Sequence, residues 1–185
     1  MKYKRSKLAD IFNVLHRWKI SGVVIGDTSV QLHLNYPELD GDIDVFTLDF
    51  SPLSEREKLE EIAAEQGWEL TTSEIGLPAL VVPLEEGYVL IEFYENYMDI
   101  DIPMELLEDS VEYRIDSTRI KSIRPEYYLV LKARQGTDLD KLEKYLAELK
   151  RRGFNLKLVE YAVSLYPPEE QELIYERLRS VKLEV

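Results

Sequence analysis

The chain has 185 residues, a formal net charge of −13 and no cysteine. This length is sufficient to bury the core of one domain, and the lack of cysteine excludes disulfides, thiolate metal ligands and a Cys nucleophile. The acidic balance repels phosphate backbones, so it argues against non-specific binding of nucleic acid.

Helix and strand patterns alternate in the first part of the chain. Apolar residues with a period near 3.6 predict an amphipathic helix over 8–18, and the apolar run 22–25 is typical of a buried strand. Small and polar residues at 26–29 then open a second helix. After a loop over 35–41, alternating polar and apolar residues predict a half-buried strand over 42–48.

The middle of the chain predicts one helix followed by several strands. Ser54-Glu-Arg-Glu57 has the pattern of a capping box, which predicts a helix with Ser54 as its N-cap and an end at Gly67. Turn residues then separate short segments with strand character. These segments are 68–72, 79–82, 88–94 and two more within 111–123.

The last third of the chain predicts helices only. Pro125 suits the first turn of a helix, and a leucine stripe from Leu139 to Leu149 predicts the next one. A final helix begins at Pro167-Pro168, with Leu173, Ile174 and Leu178 predicted to point inward. The expected fold is therefore α+β (α/β). A mixed β-sheet flanked by helices occupies residues 1–123, and a C-terminal helical bundle of residues 124–185 packs on it.

Two carboxylates lie two positions apart on a predicted strand. Asp42 and Asp44 therefore project from the same face. Because adjacent carboxylates repel each other, a divalent cation such as Mg²⁺, or Mn²⁺ in its place, favours the pair. Such an ion leaves positions for water and substrate phosphates, as phosphoryl or nucleotidyl transfer requires. The same pattern also occurs on exposed strand faces, so the pair alone does not distinguish a metal site from a solvated surface.

A turn rich in small residues precedes this strand. Gly26, Asp27, Thr28 and Ser29 connect the apolar strand to a helix start. A helix that begins in this way presents backbone N–H groups to an anion. The sequence thus places a possible phosphate-binding turn shortly before the two carboxylates.

This succession resembles the nucleotidyltransferase superfamily, whose fold is shared with DNA polymerase beta and the antibiotic-modifying nucleotidyltransferases. That family has Gly-Gly or Gly-Ser at the turn, then a carboxylate-apolar-carboxylate strand and a third carboxylate on a neighbouring strand. The resemblance implies a nucleotidyltransferase-like sheet, with Asp42 and Asp44 as catalytic metal ligands and residues 26–29 as nucleotide-binding. Asp27 departs from the family, which has Gly or Ser at this position. A carboxylate beside a triphosphate is unfavourable unless it points away or binds a cation.

The third carboxylate has three candidates. Glu92 lies in the apolar segment 88–94, where an ionised side chain needs a metal, a basic partner or solvent. Asp99 and Asp101 form a second Asp-x-Asp pattern. In the family the third acid lies well before a later basic segment, which favours Glu92 as catalytic residue and metal ligand.

That later segment, 119–134, resembles the region after the sheet in small bacterial and archaeal nucleotidyltransferases and related abortive-infection toxins. Between positions 121 and 134 it concentrates positive charge in an acidic chain. The resemblance implies that Lys132 binds the nucleotide and offsets charge on the leaving pyrophosphate. Alternatively, Lys132 only favours the C-terminal end of its helix, while Asp138 and Asp140 cap the next one.

Three functions are compatible with these residues. The first is a metal-dependent nucleotidyltransferase that moves NMP from an NTP, with ATP the expected nucleotide, to an unknown acceptor hydroxyl. The second is a catalytically degenerate binding module, an antitoxin or regulatory partner of another protein, which the departure at Asp27 motivates. The third is a toxin-like transferase acting on tRNA, against which the acidic surface argues.

The expected location is cytoplasmic, with no membrane partner. No apolar run approaches the ~20 residues of a membrane span. The basic start of the chain also lacks the apolar core and cleavage site of a secretory leader. Charged residues make up 32% of the chain, cysteine is absent and amides are few, which predicts a thermophilic source.

Overall fold

The structure is a computed structural model, and it describes residues 1–97 and 100–184. Within these residues the chain forms nine strands and eight helices. In chain order they are β1 (Lys2–Lys4), α1 (Arg5–Arg17), β2 (Gly22–Val24), α2 (Asp27–His33), β3 (Glu38–Asp40), β4 (Ile43–Thr47), α3 (Arg56–Gln66), β5 (Glu69–Thr72), β6 (Pro78–Pro83), β7 (Tyr88–Tyr94), α4 (Met104–Glu108), β8 (Val111–Ile115), β9 (Thr118–Ser122), α5 (Pro125–Gln135), α6 (Leu139–Arg152), α7 (Leu156–Ser164) and α8 (Pro168–Ser180).

Seven strands form a mixed sheet in the order β5-β6-β7-β4-β2-β9-β8. The pairs β4 with β7 and β2 with β9 are parallel, while the other neighbours are antiparallel. Strands β1 and β3 form a separate antiparallel pair. The predicted α+β class with a mixed sheet is thereby confirmed, and β4 lies near the centre of the sheet, between β7 and β2.

The described chain divides into two compact units. The sheet unit contains residues 1–97, 100–101 and 110–122, with every strand and helices α1 to α3. The helical unit contains residues 102–109 and 123–184, with helices α4 to α8. None of the helices in the described part of the chain combines the length and apolar character that crossing a bilayer requires.

The core of the sheet unit lies between the sheet and its helices. The apolar stripe of α1, from Leu8 to Leu15, is buried together with alternate residues of β4 and β7. Helix α1 packs on β8 and β9, and α3 packs on β5 and β6. Because β4 and β7 are central strands, their residues between the buried ones can present polar groups at a fixed place.

Helix α5 is the centre of the helical unit. It packs against α6, α7 and α8, and apolar residues around most of its circumference are buried, as expected of a central helix. The predicted leucine stripe of α6 is confirmed, with Leu142, Leu146 and Leu149 buried. Leu173 of α8 contradicts its prediction: its exposed fraction is 42%, while Ile174 and Leu178 turn inward.

Two local predictions were wrong for physical reasons. Residues 38–40, predicted as loop, form β3 because they pair with the N-terminal strand β1, a contact between distant parts of the chain. The predicted capping box at Ser54 does not form, and α3 has Glu55 as its N-cap. The reason is a preceding turn in which the Ser54 N–H donates to the hydroxyl of Ser51. The predicted end at Gly67, with φ of 66°, is confirmed.

Candidate functional site

Strand pairing brings two of the predicted carboxylates together. In the parallel pair of β4 and β7, Asp44 lies directly opposite Glu92. Residues opposite each other in paired strands place their side chains on the same face of the sheet. Besides burial, the Glu92 carboxyl raises the pKa of Asp44, first through its charge and also through hydrogen bonding, which would need a proton on one of the two groups.

The surroundings of Asp44 disfavour its charge. Burial and the neighbouring carboxylates of Glu92, Asp42 and Asp27 raise its pKa from 3.8 to about 7. Asp42 is exposed just before β4, and Asp27 is the first residue of α2. Four carboxylates therefore act on one another around Asp44, and a cation bound there would stabilise the ionised form of Asp44.

Gly26 lies against Asp44. A Cβ built on Gly26 would overlap Oδ2 of Asp44, so any larger residue here would have to displace the Asp44 side chain. The backbone is fixed on the same side, since the N–H of Ile25 donates to the carbonyl of Asp44 at 3.0 Å. The close approach explains the glycine independently of any ligand.

The hydroxyls of Thr28 and Ser29 hold the turn in place. Both residues are fully buried. Thr28 Oγ1 donates to the carbonyl of Asp42 at 3.1 Å and lies 3.2 Å from the hydroxyl of Tyr3. Ser29 Oγ donates to the carbonyl of Gly26 at 2.7 Å. These contacts tie the turn to the strand that carries the carboxylates, while direct phosphate binding by residues 26–29 stays a prediction.

Tyr94 is a site residue whose contact the sequence did not reveal. Its hydroxyl donates to Oε2 of Glu92 at 2.6 Å. Burial and the nearby charge of Asp44 raise the pKa of Tyr94, so the phenol remains a neutral donor. The available signal was the spacing of two positions on a strand, which puts Tyr94 and Glu92 on the same face.

Asp99 and Asp101 are the other two candidates for the third carboxylate. Asp99 lies outside the described residues. Asp101 is exposed in the segment that follows β7. Within residues 1–97 and 100–184, no group of three or more His, Cys, Asp or Glu side chains has the arrangement to hold a metal ion by itself. A cation at the Asp44 and Glu92 pair would therefore need further ligands from water or a substrate.

Lys132 belongs to the helical unit and forms an ion pair with Asp138. Its Nζ lies 3.3 Å from a carboxylate oxygen of Asp138, and the exposed fraction of its side chain is 14%. Asp138 occupies the N-cap position of α6 without a capping side-chain bond, so its predicted capping role was wrong. Arg124 and Arg134 likewise pair with Asp109 and Glu170. Acids of the same unit thus offset the positive charge seen in the sequence.

Known proteins provide an independent comparison. Residues 4–180 match the profile of a family described as nucleotidyl transferases of unknown function, DUF2204. No curated protein matches the chain in sequence.

Two solved structures share the fold. One is an antigenic nucleotidyltransferase-like protein from Paracoccidioides brasiliensis, with a TM-score of 0.59, 12% identity, and coverage of 98% of this chain and 91% of that one. The other is the antibiotic-resistance factor ANT(2″)-Ia, with a TM-score of 0.54, 14% identity, and coverage of 95% and 90%. At these identities the likeness concerns the fold.

Proposed function

The chain belongs to the DUF2204 family of nucleotidyl transferases, and on that premise we propose that it transfers NMP from an NTP, with ATP the expected nucleotide, to an acceptor hydroxyl. The acceptor oxygen bonds to the α-phosphorus, the bond from that phosphorus to the pyrophosphate oxygen breaks, and a base takes the hydroxyl proton. The observation that carries the proposal is the pairing of Asp44 with Glu92 in register beside Gly26.

The donor set suits Mg²⁺ or Mn²⁺. Asp44 and Glu92 offer hard carboxylate oxygens, and Mg²⁺ in phosphoryl-transfer sites uses one or two carboxylates together with substrate phosphates. Asp42, exposed just before β4, is proposed only as a further ligand that the family resemblance implies. Burial and the neighbouring carboxylates raise the pKa of Asp44, and a bound cation would favour its ionised form. When bound, the ion would neutralise the phosphates and polarise the α-phosphoryl group.

Each side chain then has a task. Glu92, one oxygen of which is held by Tyr94, accepts the proton of the acceptor hydroxyl. The turn 26–29 would receive the triphosphate, and the charge of Asp27, which acts on Asp44, would be offset by the cation.

Release of pyrophosphate from each NTP tests the proposal. Water serves as the acceptor in this assay, because the natural acceptor is unknown. Wild-type protein should release pyrophosphate only with Mg²⁺ or Mn²⁺, and Asp44→Asn should lower the rate by at least about 100-fold. Asp10→Asn, an exposed change of equal charge on α1, is the matched control. Unchanged turnover in Asp44→Asn would refute the assignment of this carboxylate.

A binding module is the second candidate, favoured by Asp27 at the start of α2, where its carboxylate adds to the negative charge around Asp44. Such a module would keep the fold and act as an antitoxin or regulatory partner. Calorimetry with Mg²⁺ and a non-hydrolysable NTP separates the candidates. Absence of binding at millimolar nucleotide favours the module, and binding favours the transferase.

A further inference from the structure

Tyr94 and Glu92 are coupled by the geometry of β7. They occupy alternate positions of the strand and so lie on one face, where the Tyr94 hydroxyl reaches Oε2 of Glu92 at 2.6 Å. The backbone of Tyr94 is itself fixed, because the hydroxyl of Thr47 on β4 donates to its carbonyl at 3.0 Å. The phenol is therefore presented to Glu92 from a rigid part of the sheet.

A hydrogen bond of this kind restricts a carboxylate. A glutamate side chain has three rotatable bonds, and a partly buried one can turn its oxygens in several directions. A short bond from a phenol to an ionised carboxylate is among the stronger neutral-to-charged hydrogen bonds in proteins. With Oε2 held, the Glu92 carboxylate has fewer orientations open to it, on the strand position that lies directly opposite Asp44.

We propose that Tyr94 is a positioning residue, whose hydroxyl fixes the Glu92 carboxylate for binding a divalent cation opposite Asp44. The consequence for nucleotidyl transfer rests on the proposed function, whereas the consequence for cation binding does not. The ring of Tyr94 supplies packing that phenylalanine would also supply, so the hydroxyl is the part of the side chain that has this task.

The test compares Tyr94→Phe with Tyr88→Phe. Tyr88 lies on the same strand, is 58% exposed and serves as the matched control. Binding of Mn²⁺, with and without a non-hydrolysable ATP analogue, is measured by electron paramagnetic resonance. We expect Tyr94→Phe to weaken Mn²⁺ binding about 10- to 100-fold, the usual effect of removing a hydrogen bond to a charged group. Tyr88→Phe should bind Mn²⁺ as the wild type does.

Two further readouts separate positioning from a general structural effect. In the Glu92→Gln background, Tyr94→Phe should weaken Mn²⁺ binding less than twofold further, because its target is already altered. In pyrophosphate release, Tyr94→Phe should lower kcat about 10-fold or more, with KM for ATP changed less than threefold.

The outcomes distinguish this inference from the proposed function. Mn²⁺ affinity of Tyr94→Phe within twofold of the wild type overturns the inference even when the wild type releases pyrophosphate. Weaker Mn²⁺ binding in Tyr94→Phe supports it even when the wild type releases none, an outcome that contradicts only the proposed function. A wild type without Mn²⁺ binding overturns the inference, as does an equal loss in the Glu92→Gln background.

Discussion

Replacing Asp44 by asparagine should stabilise the metal-free protein, and it should do so only above acidic pH. The pKa of Asp44 is about 7 in the folded protein, against an ordinary value of 3.8 that applies to the unfolded chain. Between these values the folded state binds more protons than the unfolded state, so the free energy of unfolding falls as the pH rises. Asparagine has no charge to lose and can donate to Glu92 as protonated Asp44 does.

The magnitude follows from proton linkage. A pKa of about 7 against 3.8 corresponds to about 4 kcal/mol once Asp44 is fully ionised. Because Asp44 is only partly buried and its pKa depends on three neighbouring carboxylates, we expect a gain of about 2 to 4 kcal/mol in Asp44→Asn at pH 8.5. At pH 4.5 most of this gain should be absent, since wild-type Asp44 is then protonated.

Urea unfolding in the presence of a chelator measures the effect. Tryptophan fluorescence reports on the sheet unit, because Trp18 and Trp68 both belong to it. The exposed control Asp10→Asn should stay within about 0.5 kcal/mol of the wild type at both pH values. Equal stability of Asp44→Asn and wild type at pH 8.5, or a difference that does not change with pH, would refute the reasoning.

Three further substitutions test other contacts. Gly26→Ala should destabilise the sheet unit by about 1–3 kcal/mol and abolish its response to Mg²⁺ in thermal unfolding, because the new Cβ displaces Asp44. Thr28→Val should cost about 1–3 kcal/mol in urea unfolding, since it removes a buried hydroxyl that donates to the carbonyl of Asp42. Asp109→Asn should destabilise the helical unit by about 1 kcal/mol at low salt, measured by circular dichroism, because its bonds to a guanidinium and a phenol are partly exposed.

Controls and contradicting outcomes differ among the three. Thr72→Val, an exposed change of the same chemistry on β5, should be nearly neutral, and an equal loss in both threonine variants contradicts the role of the Thr28 hydroxyl. A Gly26→Ala protein that keeps its thermal response to Mg²⁺ contradicts the contact with Asp44. The carboxylate of Asp109 has its pKa lowered mainly by the hydrogen bond from Arg124, so its contribution should disappear as the pH falls through that pKa. A contribution of Asp109 to stability that persists at acid pH would contradict the role of its bond with Arg124.

The sequence was sufficient where a local pattern determines the structure. The alternating residues 42–48 predicted the strand that carries Asp44, and the apolar segment 88–94 matched the bounds of β7, which contains Glu92. Both elements depend on residues that are neighbours in the chain. A third carboxylate on a neighbouring strand was implied only by the family resemblance, and the register that puts Asp44 opposite Glu92 comes from the structure.

Contacts between distant residues were beyond the reach of such patterns. Tyr3 reaches Thr28 because β1 pairs with β3, and neither strand has an apolar run that marks it. The sequence did not show that the ammonium group of Lys132 has an acidic partner, whereas in the structure it forms an ion pair with Asp138. In the structure the hydroxyls of residues 28 and 29 donate to backbone carbonyls, contacts that the sequence did not predict, while phosphate binding by this turn stays a prediction.

The position of Mg²⁺ and a nucleotide tests the central claim most directly. A crystal structure of the protein with Mg²⁺ and α,β-methylene-ATP should show the ion bound by oxygens of Asp44 and Glu92, with the triphosphate at the turn that begins with Gly26. An ion without contact to Asp44 and Glu92, or a nucleotide bound away from this turn, would contradict the account.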